Sequence, residues 1–291
     1  MKYTKRLICF IDILGFGDLV DQSENNSATL ELILDILHRI RAVDDLYASP
    51  DNLFAHSNYS SLEPDYKAKL NEVFEMSKEE SIFNRIEVTT FSDSIVFSAA
   101  ATEEGIGHFR YFLTKLLVYT SDYQLLLRGG LACGSLIHGN GLIFGPAMNK
   151  AYLTESKVAK YPRIAIDHSA IALFDEFKGT SIGKILSREI LTCSRDQVKY
   201  VDQLSICTNK VAQNMCNSTP LNTFKKIHDT LLELRGRYRE NEKVLIKIDW
   251  FIDYYNDFIK RIREIDVVVS RVAGMPFETE VVSLAEFRMH K

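Results

Sequence analysis

Residues 6–13 form a short apolar run with an aspartate, Asp12, inside it, and the run enters Leu14-Gly15-Phe16-Gly17 directly. A carboxylate removed from water costs several kcal/mol unless it is paired, hydrogen-bonded or bound to a metal. The segment therefore predicts a buried strand whose end holds an acid for a reason, followed by a tight turn. After the polar SENNS, Leu30, Ile33, Leu34, Leu37 and Ile40 recur at helical spacing, so the turn opens a strand-to-helix unit.

The same punctuation continues along the chain. Residues 48–81 are polar, carry Pro50 and Pro64, and read as a surface insertion. NRIEVTTFSDSIVFSA gives two alternating apolar runs around FSD, the pattern of a hairpin with Asp93 at its tip. A helix over 103–119 follows, then a long strand in QLLLRGGLACGSLIHG, a short strand before Gly145, a helix over 146–160 and a strand in RIAID. The order is β-α-β-β-α-β with additions, an α+β fold of the ferredoxin-like split type. We place this domain at residues 1–174. Residues 175–291 form a largely helical extension, with an antiparallel helix pair over 221–239 and 242–262 that serves packing or dimer support.

Composition excludes several classes. The 291 residues carry a formal charge of -4 with no long basic stripe, so no nucleic-acid partner is expected. Lys2, Lys5 and Arg6 precede an apolar stretch in the manner of a signal peptide, but Asp12 interrupts it and no small-residue cleavage site follows. No segment reaches the ~20 apolar residues a bilayer span needs. Five cysteines without C-x-x-C spacing indicate neither a disulfide framework nor a zinc site, and a cytoplasmic location fits best.

The chemistry rests on two acids. In the split topology Asp12 and Asp93 lie on neighbouring central strands, an arrangement suited to two divalent cations, Mn²⁺ or Mg²⁺. Two such ions about 3.5–4 Å apart activate an attacking oxygen and stabilise a leaving one in phosphoryl transfer. The turn at 13–17 leads into a helix, so its N–H groups suit phosphate oxygens.

FIDILGF, FSDSIVF, RGGLACG and FGPAMNKAYLTE, in that order, resemble the successive motifs of class III nucleotide cyclases, over about residues 5–167. The resemblance implies a homodimer with active sites at its interface and a nucleoside triphosphate as substrate. The reaction implied is attack of the 3′-hydroxyl on the substrate's own α-phosphate, with release of pyrophosphate. It implies metal ligation by Asp12, Asp93 and the Ile13 carbonyl, a phosphate-holding turn at Gly15 and Phe16, and a ribose-positioning role across the interface for Asn149.

The departures narrow the substrate. Where the family places a transition-state arginine, four residues after Asn149, this chain has Leu153; Arg128 and Arg163 are candidate replacements, with Arg128 assigned the catalytic place. At the base-reading positions stand Thr89 and Leu142 in place of the lysine and aspartate of adenylate cyclases. An unpaired polar base edge costs ATP about 1–3 kcal/mol. The guanylate-specific Glu and Cys are missing too. RGG, FGPAM and YPRI resemble the bacterial pyrimidine cyclases of Pycsar antiphage systems, in which cUMP or cCMP switches on a separate effector that need not touch the cyclase. Thr89 can donate or accept, so UTP against CTP stays open, with UTP favoured by the family alone. A purine cyclase and a degenerate nucleotide-binding or dimerisation domain are the alternatives. His138 and His168 receive no role, and Cys133, Tyr152 and Tyr161 are read as packing residues.

Overall fold

The computed structural model describes residues 2–41, 64, 65, 68, 86–91, 93–123, 125–207 and 220–273. Apart from residues 64, 65 and 68, the insertion expected at 48–81 lies outside them.

The apolar run at the N-terminus is strand β1, Thr4–Leu14, and alternation divides its side chains between two faces. Leu7, Cys9, Ile11 and Ile13 join the main core, while Ile8 and Phe10 belong to a smaller cluster on the other face. The turn at Gly15 has φ +80°, a left-handed conformation glycine adopts without strain. The chain then forms two helices where one was expected, α1, Phe16–Ser23, and α2, Ser27–Arg41. Asn26 divides them, its Oδ1 accepting from the N–H groups of Ala28 at 3.0 Å and Thr29 at 3.2 Å.

Strands β2, Glu87–Phe91, and β3, Ser94–Ala100, form the expected hairpin, and α3, Glu103–Asp122, returns across the apolar face. Thr102 caps α3 by accepting the Gly105 N–H at 3.0 Å. Next come β4, Leu126–Gly139, β5, Leu142–Phe144, and α4, Pro146–Leu153. The helix expected over 146–160 changes pitch at residue 154, where Thr154–Val158 form a single π turn. Strand β6 is Ile164–Ile166.

The sheet order β2-β3-β1-β4 is the ferredoxin-like order, with β1 flanked antiparallel by β3 and β4. The sheet does not stop near residue 174. After α5, His168–Glu176, and α6, Ser181–Leu186, two three-residue strands, β7, Ile190–Thr192, and β8, Lys199–Val201, extend it beyond β6. Helix α7, Gln203–Cys207, leads to the expected pair α8, Pro220–Arg237, and α9, Glu242–Ala273. A second core of Tyr200, Phe224, Leu231, Trp250 and Tyr255 joins that pair to the sheet's end, with Leu14 packed against it. No described helix is long and apolar enough to cross a membrane.

Small residues bring α4 and its π turn onto the sheet. A Cβ on Gly130 would lie 2.1 Å from the Ala151 carbonyl oxygen and 2.5 Å from the Glu155 nitrogen, both backbone atoms that cannot rotate away. Gly130→Ala is therefore expected to lower stability by about 2 kcal/mol or more, the range of overpacked cores. Urea unfolding would check this; an unchanged midpoint would mean the helix is not held so closely.

Candidate functional site

Antiparallel pairing sets Asp12 opposite Ser94 on β3 and Arg128 on β4, so Asp12 and Arg128 share the face opposite the main core. The Ile13 N–H donates to the Asp93 carbonyl at 3.0 Å, which ties the hairpin tip to the end of β1. Arg128 Nη2 donates to Asp12 Oδ2 at 2.8 Å and forms an ion pair with Glu155 Oε1 at 2.5 Å. That second contact lacks hydrogen-bond geometry: Glu155 Oε1 and Arg128 Nε are both buried without a hydrogen-bond partner.

Burial pushes the Asp12 carboxyl up, with the nearby Asp93 charge adding to the shift and Arg128 opposing it. Glu155 is raised by burial in the same way, against Arg128 and with help from Asp12 and Asp93. Three carboxylates thus share one electrostatic environment around a single guanidinium. Asp12 and Asp93, with the Ile13 carbonyl beside them, offer hard oxygen donors of the kind Mg²⁺ and Mn²⁺ take. Among the described residues no three His, Cys, Asp or Glu side chains gather as a complete metal cage.

The first turn of α1 stands beside this cluster, with orphan N–H groups at its start. Phe16 buries its side chain in the main core, so only its backbone is available to the turn. Gly15, Gly17 and Asp18 line a cleft of about 360 Å³ with Tyr238, just past the end of α8, and Lys247 of α9. The Tyr238 hydroxyl donates to the Asp18 carboxylate. Lys247 is close enough for its charge to act on Asp12.

The other expected residues lie elsewhere on the same side. Thr89 pairs with Val96, in line with Phe10 on that face. Leu142 on β5 and Asn149 on α4 are exposed, and neither reaches the acids of its own chain through a described contact. Leu153 follows Asn149 by one helical turn and is also exposed. Tyr152 packs edge-on to Phe10 at 5.5 Å, and Tyr161 stacks on Trp250 at 5.1 Å. Cys133 is buried in the core. Arg163 does not join the site: it is fully buried, ion-paired with Asp196 at 2.5 Å and enclosed by Tyr161, Tyr200 and Trp250, so it cannot serve as the replacement cation.

Three residues of the candidate site escaped the sequence reading. Glu155 is directed at Arg128 by the π turn, which an apolar pattern does not reveal. Lys247 belongs to a helix that looked like an appendage. His138, set aside as a strand-end residue, bridges two hydroxyls: Nδ1 lies 2.8 Å from Ser98 Oγ and Nε2 lies 3.0 Å from Thr89 Oγ1.

No protein-family model matches the chain, and no curated protein matches it. Solved structures similar to it include the monomeric guanylyl cyclase domain of the RhoGC fusion protein from the aquatic fungus Blastocladiella emersonii, at 14% identity over 69% of this chain and 96% of that chain, TM-score 0.38. The catalytic core of a rhodopsin-guanylyl cyclase with converted specificity, in complex with ATPαS, gives 14% over 69% and 96%, TM-score 0.35. A bacterial light-regulated adenylyl cyclase gives 17% over 79% and 100%, TM-score 0.32.

Burial and the Arg6 charge hold the His138 imidazole down to about 4. An unfolded chain binds that proton near pH 6.5. The stability His138 confers is whole above about pH 6.5 and lost as pH falls toward 4, with a ceiling on the order of 3 kcal/mol. Unfolding midpoints at pH 7.5 and 4.5 should therefore separate more for the wild type than for His138→Gln; equal separation would contradict the assignment.

Proposed function

We propose that the protein is a homodimeric, metal-dependent nucleotide cyclase that converts a pyrimidine nucleoside triphosphate, UTP or CTP, into its 3′,5′-cyclic monophosphate and pyrophosphate. The observation that carries this reading is that the hairpin tip with Asp93 is tied to the end of the strand bearing Asp12, next to the glycine turn before α1. Two carboxylates and a backbone carbonyl fit a hard divalent cation whose remaining ligands come from substrate phosphates. When bound, two such ions supply activation of the attacking oxygen and charge stabilisation of the leaving one.

The chain's own residues prepare that step. Arg128 fixes the orientation of Asp12 and opposes the upward shift that burial imposes, which favours the ionised ligand. Already shared between Asp12 and Glu155, its guanidinium acts as a positioning group. Lys247 and the first turn of α1 border one cleft and are placed to take the polyphosphate tail. The O3′–Pα bond forms as the bond from Pα to the pyrophosphate oxygen breaks, and the 3′-hydroxyl proton leaves to solvent.

A second copy supplies the rest. Phe91, Leu142, Tyr152 and Leu153 are each about half exposed, on the sheet face or on elements covering it, an apolar border around the polar site. Asn149, exposed between them, is available to a nucleotide held by the partner's acids. Thr89 and Leu142 offer no lysine–aspartate pair for adenine, which supports a pyrimidine. By its resemblance to the Pycsar cyclases the product is a second messenger in antiviral defence, made in the cytoplasm and read by a separate effector.

Purified protein with Mn²⁺ and each of the four nucleoside triphosphates is expected to yield cUMP or cCMP with equimolar pyrophosphate, and Asp12→Ala to yield neither. Lys247→Ala is expected to raise KM about tenfold, the loss of one charge-assisted contact. Product confined to cAMP or cGMP would overturn the pyrimidine assignment; nucleotide bound without pyrophosphate release would favour a degenerate binding domain.

A further inference from the structure

We propose that His138 fixes the Thr89 hydroxyl as a hydrogen-bond donor toward the base, so that the site takes a ring presenting a carbonyl, uracil, over one presenting an amine, cytosine. The assignment rests on the cyclase reading above and names its substrate. It follows from the direction of a chain of hydrogen bonds across the sheet face.

The chain starts at a group that can only donate. Arg6 Nε donates to Ser98 Oγ at 2.8 Å, and Arg6 Nη2 donates to the Ser98 carbonyl at 2.9 Å. Ser98 Oγ is therefore an acceptor from Arg6 and has one hydrogen of its own to place. Ser98 is fully buried, so that hydrogen needs a protein acceptor, and His138 Nδ1 stands 2.8 Å away. Nδ1 must then be bare. A neutral imidazole with a bare Nδ1 carries its proton on Nε2, which donates to Thr89 Oγ1 at 3.0 Å. Were both ring nitrogens protonated, Ser98 Oγ would face two donors and its own buried hydrogen would be stranded. Burial and the Arg6 charge also disfavour the imidazolium.

Thr89 Oγ1, having accepted from His138, keeps its hydrogen to give. Among the described residues its side chain makes no other hydrogen bond, and it is half-buried on the face that carries Asp12. The C4 carbonyl of uracil accepts such a hydrogen. The C4 amine of cytosine would set donor against donor, and a buried donor left unpaired costs at least tenfold in selectivity. Leu142 on β5 adds an apolar surface without reversing this polarity.

Two measurements on the full-length chain test this. Long-range ¹⁵N–¹H NMR at pH 7 is expected to find His138 neutral, protonated on Nε2 and bare on Nδ1; an Nδ1–H tautomer or an imidazolium would overturn the relay. With Mn²⁺, kcat/KM for UTP should exceed that for CTP at least tenfold. Thr89→Val and His138→Ala should each bring the ratio close to one, and Thr89→Val, which leaves the buried relay partners in place, decides the matter if His138→Ala does not fold. Equal or better use of CTP by the wild type would overturn the inference. Binding of UTP and CTP measured in Ca²⁺ separates the two readings. Tighter UTP binding without turnover keeps the relay and sinks only the cyclase; equal binding sinks the relay.

Discussion

One guanidinium holds two carboxylates at the end of the central strands. Arg128 bridges Asp12 and Glu155, and without it Glu155, almost wholly buried, would stand uncompensated at a cost of about 3–5 kcal/mol. The bridge explains how β1 tolerates an acid in an apolar run. It depends in turn on Gly130, the position at which α4 and the π turn meet the sheet backbone. Packing, charge and the placement of the Asp12 carboxylate are one arrangement here.

The sheet divides its labour by face. The side packed on α3 is a continuous apolar core, whereas the opposite side carries Arg6, Asp12, Ser98, Thr89 and Arg128 beside a smaller apolar cluster. Such a face must be covered or used. In the proposed dimer a second copy covers its apolar border and the nucleotide occupies its polar centre, with the helical pair α8 and α9 closing the phosphate end through Tyr238 and Lys247. On the proposed reading the extension is part of the site as well as a support for the sheet.

The alternation around FSD and the apolar run around Asp12 made the hairpin, the central strand and the tie between the hairpin tip and the end of β1 legible, because period-two patterning marks strands and their faces. The residues that escaped are those whose role depends on contacts between distant segments. Glu155 reaches Arg128 through one π turn, a change of helical phase that no residue type announces. His138, near the end of β4, reaches hydroxyls on β2 and β3, contacts between segments far apart in the chain. Strands β7 and β8 have three residues each, too short for a periodic pattern. Arg163 looked available as a cation until burial against aromatic rings and Asp196 showed its partners.

The central claim is that Asp12 and Asp93 grip the same divalent cations. Anomalous diffraction from crystals grown with Mn²⁺ and a nucleotide tests it without reference to turnover. The account predicts manganese peaks between the two carboxylates, within ligand distance of the Ile13 carbonyl, and their loss in Asp93→Asn. Manganese bound only elsewhere, or none beside either acid, would contradict it.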